Sequence, residues 1–454
     1  MKIVETKSQL NKFLELYNKH DSIILPIMSD VNLHTLHTSL SLIFVRVILE
    51  QEYAFGNWRI IGDDYMICIN HSECNGMDFD ISQLNNDNVK YTTDKTHIFS
   101  ELDNIINLNL FNYLKTNELI SFTDGGLTSS HVFLERIHWN RKNINTLVPI
   151  VKHYEVLENE ASQLESYIIN FKRNKIFDIY TKKVIDNLLY IESAGLKVNK
   201  DLLPLEYKKH LSKDDIIYSE YNPYTSTGRP SNRFGGLNFA ALNKDDGSRK
   251  AFISRFNGML IELDYDAYHL RLIADMIGYK FPKGSVHKYF AKQYDVSYEE
   301  SKGLSFKFLY GGIPKEISEN IPFFGEVDKY IKSKWSEYKE NLSVLSDIYS
   351  KRIYSDNLDD MNPNKLFNYL IQLAETESNM NVISDIKELL QDKKSKLVLY
   401  LYDSFLFDFN KEDEKDLIIN IKKIIERQGK YPTKIKIGQN YHDMSDVTEK
   451  MSEF

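Results

Sequence analysis

Three apolar runs rich in β-branched residues lie near the start of the chain: IILPIM over 23–28, SLIFVRVIL over 41–49 and WRIIGDDYMICIN over 58–70. They predict strands of an N-terminal α/β or mixed domain. The Gly- and Ser/Thr-rich stretch TDGGLTSSH, 123–131, reads as a loop. From about 155 to 193 the period changes, with Ile176, Ile179, Tyr180, Val184, Ile185, Leu188, Leu189 and Ile191 recurring at helical spacing and Gly195 supplying a stop. A charged, Gly-containing loop follows over 221–249. GMLIELDYD, 258–266, predicts a buried strand ending in acids, with a helix after it over 267–277. Another helix is expected over 298–310, and 313–395 reads as mainly helical. KLVLYLYDSFLFDF, 396–409, predicts two strands meeting at Tyr402-Asp403. There is no internal repeat.

At 454 residues the chain is long enough for about three domains, or two of which one is large. Hydrophobic residues at 42% and charged residues at 27% exclude wholesale disorder. The 29 Tyr and 25 Phe supply both core and flat surfaces for stacking. Two cysteines, Cys68 and Cys74, are too few to staple the chain, which excludes a disulfide scaffold and predicts a reducing compartment. With His71 they offer only three potential metal ligands, a poor zinc pattern. A formal charge of -8 excludes a general nucleic-acid coat but leaves room for a local basic groove. No apolar run reaches the length of a membrane span, and MKIVETKSQLNKF lacks the apolar stretch of a signal peptide, so a cytoplasmic protein is expected. Abundant Lys, Asn, Ile and Tyr fit an A·T-rich genome.

Two acids end buried apolar strands: Asp264 after MLIEL and Asp403 after LVLYLY. A carboxylate there is costly to ionise alone. A strand-end acid often only caps a turn, but two of them holding divalent cations are the machinery of phosphoryl or nucleotidyl transfer.

The surrounding segments sharpen that choice. TSTGRPSN (225–232) with GGLN after it, LDYDAYHLRLIADMIG (263–278), Ser285-Val286-His287, SKGLSFKFLYGG (301–312), NKLFNYLIQ (364–372), LYDSFLF (401–407) and KIGQNYHD (436–443) stand in this order. Together they resemble the motif series of family A DNA polymerases, over about half the chain. The resemblance implies an α+β fold: a polymerase palm and fingers with an N-terminal ribonuclease H-like, exonuclease-like α/β domain. It implies domains at 1–155, 156–224 (a helical connector with a reduced thumb) and 225–454. The implied activity is template-directed addition of deoxynucleotides to a primer 3′ end.

By the same resemblance, Asp264, Asp403 and the carbonyl of Tyr265 would hold two Mg²⁺ ions, with Mn²⁺ as a substitute. One ion lowers the pKa of the primer 3′-hydroxyl and the other grips the triphosphate. Lys302, Phe306 and Tyr310 recur every four residues and share a helix face. Lys302 would neutralise phosphate and protonate the leaving pyrophosphate, and the two rings would meet the bases. His287 would contact a phosphate and His269 the nucleotide. Arg229, Asn238, Asn368, Gln372 and Tyr402 would face DNA, Arg229, Asn368 and Gln372 from the minor groove. The implied partners are primer–template DNA, deoxynucleoside triphosphates and a processivity or replisome factor.

Four departures stand out. His269 occupies the position where the family has a Glu that shields the sugar 2′ position. Tyr298 replaces an Arg four residues before Lys302, a loss that Arg249 or Lys250 would have to cover. Tyr402-Asp403-Ser404 replaces His-Asp-Glu, a form shared with single-subunit phage RNA polymerases. Only 21 residues separate Leu203 from Thr225, too few for a helical thumb, so distributive synthesis is expected. The N-terminal domain offers Asp30-Val31-Asn32 where an active exonuclease needs Asp-x-Glu, and HYEVLENE (153–160) lacks the late Asp. An inactive domain is expected, unless Asp63, Asp64, Asp103 or Asp124 serve instead. Short length and eroded motifs point to a phage or mobile element. The rival readings are an RNA polymerase or primase-like enzyme on the same palm, and a degenerate DNA-binding protein.

Overall fold

The computed structural model describes residues 1–28, 34, 36, 39–54, 56–93, 97–123, 134–136, 142–144, 149–232, 236–255, 257–354 and 360–451. They form two compact units, Met1–Asp178 with Phe234–Leu237, and Ile179–Arg233 with Asn238–Phe454.

The first unit is built on a sheet of β1 (Lys2–Val4), β2 (Ser22–Met28), β3 (Leu40–Ala54), β4 (Asn57–Cys68), β5 (Lys90–Thr92) and β6 (Ile105–Asn107), in the order β1-β4-β3-β2-β5-β6. β7 (Leu134–Arg136) and β8 (Lys142–Ile144) pair with each other, and β8 joins β2. β3 runs antiparallel to β2 and β4, while β5 is parallel to both β2 and β6. These are the strands expected from the apolar runs, set in one mixed sheet of an α/β unit. Every residue of β2 is buried, as a central strand covered on both faces requires. Helix α1 (Lys7–Tyr17) begins at a Thr6–Gln9 capping box and buries Leu10, Phe13 and Tyr17. α2 (Leu108–Thr116) and α3 (Ile150–Asn170) complete the layer. The TDGGLTSSH loop, apart from Thr123, and Asp30, Val31, Asn32 and Asp124 lie outside the described residues.

The other acids considered for an exonuclease are engaged. Asp64 takes two hydrogen bonds from buried Arg46, at 2.7 and 3.0 Å, and one from Tyr154 Oη at 2.8 Å. Asp63 pairs with Lys2 at 2.6 Å, and Asp103 accepts from Asn85 at 3.1 Å. Arg46 also reaches Glu158 and Glu165 on α3, so a single desolvated guanidinium is compensated by three carboxylates. Cys68 and Cys74, read from the sequence as too few to staple the chain and as a sign of a reducing compartment, form a disulfide.

The second unit holds the site. The chain enters it at the end of α4 (Lys175–Ile179), whose first four residues belong to the first unit, and continues through a π-helical turn, Tyr180–Ile185, into α5 (Asp186–Ala194). The helical reading of 155–193 is therefore interrupted over 171–174. Gly195 closes α5 at φ +57°, where an added Cβ would sit 2.5 Å from Ile216 Cγ2. β9 (Leu196–Val198) is flanked by β10 (Ile216–Ile217) and β11 (Phe252–Ile253). Between Leu203 and Thr225 there is no α-helix, only the 3₁₀ turn Leu205–His210 and β10.

β12 (Gly258–Tyr265) is the middle strand of an antiparallel five-stranded sheet. α6 (Tyr268–Met276), α7 (Val286–Tyr294), α8 (Tyr298–Gly311), α9 (Lys315–Asn320) and α10 (Pro322–Asn341) follow it. They enclose a core of Phe290, Phe308, Phe323, Phe324, Val327 and Ile331. The hairpin β13 (Ser343–Leu345) and β14 (Arg352–Tyr354) interrupts a region expected to be helical. The 27-residue α11 (Pro363–Leu389) then crosses the unit. β15 (Lys396–Leu401), β16 (Ser404–Asn410), α12 (Glu414–Glu426), β17 (Thr433–Gly438), β18 (Met444–Asp446) and α13 (Thr448–Met451) complete it, giving the sheet order β15-β16-β12-β17-β18. Among the described residues no helix is long and apolar enough to cross a membrane.

Candidate functional site

The alternation of β12 puts Leu263 and Tyr265 into the core and Glu262 and Asp264 on the opposite face. Asp264 stands opposite Ser404 of β16, and the amide of Tyr265 donates to the carbonyl of Asp403 at 2.9 Å. Two acids far apart in sequence thus meet at one end of the sheet. Burial, then the charge of Asp403, then that of Glu262, pushes the Asp264 carboxyl up to about 7. Asp403 stands exposed at the hairpin tip. Its carboxyl is raised too, because surrounding protein displaces water and Glu375 lies nearby. Among the described residues neither carboxylate has an ion-pair partner, whereas Glu262 has Lys436 at 3.6 Å and Asp266 has Lys434 at 3.7 Å. Two carboxylates without ion-pair partners among the described residues, one half-buried and one at the solvent edge, offer the hard oxygen donors that suit a divalent cation. Tyr265 itself is buried, its hydroxyl donating to Ile425 at 3.0 Å.

α8 starts at a Ser297–Glu300 capping box and carries three predicted residues on one face. Lys302 is half-exposed, 3.3 Å from Glu299, and its ammonium lies 4.4 Å from the centroid of the Tyr298 ring. The Phe306 and Tyr310 rings are parallel within 6° at 6.1 Å, and Phe306 remains 44% exposed. His287 lies beside this face, its ring 5.9 Å from Tyr298 and 6.5 Å from Phe306. Its Nδ1 is buried without a hydrogen-bond partner among the described residues. Burial lowers its pKa, with Lys302, Lys434 and Arg271 adding to the effect against Asp266. These surrounding cations make the corner a suitable seat for an anion.

A third group converges from α11. Glu375 is 0% exposed; its Oε1 is hydrogen-bonded to His269 Nε2 at 3.0 Å, and its Oε2 is in ion-pair contact with Arg229 Nε at 2.9 Å without hydrogen-bond alignment. His269 Nδ1 is hydrogen-bonded to Tyr310 Oη. The Arg229 guanidinium carbon lies 3.7 Å from the centroid of the Tyr402 ring, and Tyr402 sits in the left-handed region at φ +66°. Asn379 clamps that turn, donating to the Tyr402 carbonyl at 2.6 Å and accepting from Tyr268 Oη at 2.7 Å.

The remaining predicted residues are more loosely connected. Asn238 stands at the N-cap position of the 3₁₀ turn Phe239–Ala241 without a side-chain capping hydrogen bond and is half-buried. Asn368 and Gln372 lie one turn apart on α11, and Asn368 Oδ1 is buried without a partner among the described residues. Arg249 does not replace the missing Arg at Tyr298: it is buried, donates to the Leu242 carbonyl at 2.9 Å and stacks on Tyr441. Sequence reasoning missed Glu375, Glu262, Lys434 and Lys436. The alternation in TKIKIG gives a signal for the two lysines, which stand opposite Asp264 and Glu262 on β17. Glu375 has no local signal, being one of five consecutive polar residues in a helix.

No protein-family model matches the chain. A solved structure of the POL domain of Pol1 from M. smegmatis, in complex with DNA primer-template and dNTP, is similar at a TM-score of 0.63. The match has 14% sequence identity and covers 97% of this chain and 99% of that one. The chain therefore has the α+β fold of a family A polymerase domain.

Proposed function

We propose that the chain is a template-directed DNA polymerase that adds deoxynucleotides to a primer 3′ end. The observation that carries this reading is the meeting of Asp264 and Asp403, neither with an ion-pair partner among the described residues and both raised above the ordinary carboxylate value, beside a cationic corner. Asp264, Asp403 and the Tyr265 carbonyl would hold Mg²⁺ or Mn²⁺. When bound, such ions supply acidification of the primer hydroxyl and charge neutralisation on the triphosphate.

The chain's own groups do the rest. Lys302, with His287 beside it, receives the phosphates, and Lys302 gives a proton to the leaving pyrophosphate. Phe306 offers its open face to the incoming base, over the half-buried Tyr310. His269 lies at the sugar. Arg229, Asn238, Asn368, Gln372 and Tyr402 serve the primer–template side.

Residues 1–155 form an exonuclease-like domain that no longer cuts, supported by the engagement of Asp63, Asp64 and Asp103. Residues 156–224 connect it, with a reduced thumb, to the palm and fingers at 225–454; the lack of an α-helix between Leu203 and Thr225 supports this. Composition and altered motifs favour a phage or mobile-element source, working in the host cytoplasm, and a short thumb favours a processivity partner.

Extension of a labelled primer on a DNA template, with deoxynucleotides or ribonucleotides, tests the reading. Growth with deoxynucleotides that stops on chelation supports it. Growth with ribonucleotides alone would make the protein an RNA polymerase or primase, and DNA binding with no extension would make it a binding protein.

A further inference from the structure

The polymerase motifs assign no task to Glu375, yet it is fully buried and touches both Arg229 and His269. A carboxylate at 0% exposure is tolerated only if its charge is well compensated. Here Oε1 is hydrogen-bonded to His269 Nε2 at 3.0 Å, while Oε2 lies 2.9 Å from Arg229 Nε in an ion-pair contact that lacks the alignment of a hydrogen bond, so its compensation there is by charge. A ring nitrogen facing a carboxylate carries the proton, so His269 donates from Nε2. In the neutral ring Nδ1 is then the acceptor for the Tyr310 hydroxyl. The imidazole is pinned at both ends and cannot flip. On its other oxygen the same carboxylate holds Arg229, whose guanidinium covers the ring of Tyr402, next to Asp403.

One buried side chain of α11 therefore ties together the 229 loop, α6, α8 and the β15–β16 turn. We propose that Glu375 is a positioning residue that sets His269 on the nucleotide side and Arg229 on the primer side as one unit, so that sugar discrimination and primer-end alignment depend on the same carboxylate. The family acid that would shield the sugar is absent at position 269. In this chain an acid arrives from a different helix and acts through the histidine.

This rests on the polymerase reading, and the experiment separates the two. Wild type, Glu375→Gln and Glu375→Asp are compared in steady-state primer extension with deoxynucleotides and ribonucleotides, on matched and mismatched primer ends. Thermal unfolding and nucleotide-induced thermal shifts are measured alongside. Glu375→Gln keeps the shape and loses the charge. The expected result is a rise in KM of about tenfold with a smaller fall in kcat. The preference for deoxynucleotides and the penalty for a mismatched end should fall together, and Glu375→Asp should recover part of both. An unchanged preference in a folded, active Glu375→Gln protein overturns the inference and leaves the polymerase reading standing. Failure of wild type to extend any primer removes the reading itself. Should Glu375→Gln not fold, Tyr310→Phe removes the far end of the same chain of contacts. It should lower the deoxynucleotide preference, and no change there also overturns the proposal.

Discussion

The amide of Tyr265 donates to the carbonyl of Asp403, and this bond sets two acidic strand ends side by side. Because the bond belongs to the backbone, substituting either acid should leave the sheet in place. Asp264→Asn and Asp403→Asn are each expected to lower primer extension by at least about a thousandfold, the scale of losing one of two shared metal ligands. Binding to primer–template, read by fluorescence anisotropy, should change less than about threefold at fixed salt. A variant retaining a tenth of wild-type activity would exclude this acid pair as the centre.

The Asp264 carboxyl is raised from 3.8 to about 7 in the folded protein. A group with a raised folded pKa binds more protons folded than unfolded, so its stabilising contribution is complete below about pH 4 and is lost as the pH rises through about 7. In chelator, the melting temperature of wild type should carry a falling component across that window that Asp264→Asn lacks. At pH 8 the variant should melt above wild type, and added Mg²⁺ should raise wild type more. A variant curve parallel to wild type would contradict the assignment.

Glu377 is buried two residues beyond Glu375 and has a structural task. It accepts from Tyr349 N at 2.9 Å, Ser346 Oγ at 2.9 Å and Tyr180 Oη at 3.0 Å. Burial pushes its carboxyl up to about 7 and pulls neighbouring Lys351 down to about 7. Glu377→Ala strands several buried donors and should cost about 3–5 kcal/mol in urea unfolding. Glu377→Gln keeps one of the two acceptor oxygens and turns an amide NH2 toward the donors of the other, so it should cost less than Glu377→Ala but remain destabilising.

With no α-helix between Leu203 and Thr225, grip on duplex DNA should be weak. In extension reactions with excess unlabelled trap DNA, the isolated protein is expected to add on the order of ten nucleotides or fewer per encounter, with strong salt dependence. Products of hundreds of nucleotides under trap would refute a reduced thumb.

Strands and helices with a single clear period were legible in the chain. GMLIELDYD and KLVLYLYDSFLFDF became β12, β15 and β16 nearly as bounded, and the meeting at Tyr402-Asp403 is where the hairpin turns. The helix at 298–310 became α8, and Lys302, Phe306 and Tyr310 do share its face. The β13–β14 hairpin was hidden because its three-residue strands are too short to show alternation. Glu375 was hidden for a different reason: its burial is decided by Arg229 and His269, more than a hundred residues away, and local pattern carries no trace of that. The disulfide was missed because two cysteines six residues apart look the same free or joined.

Tyr402 holds a left-handed backbone that a side chain with a β-carbon enters only at a conformational cost. Glycine or asparagine would relax that corner, yet either would take away the aromatic plate beneath Arg229. A β-branched replacement would break the turn and move Asp403 with it. Engineering at this position therefore faces a trade: an easier bend or a firmer seat for the guanidinium, but not both from one residue.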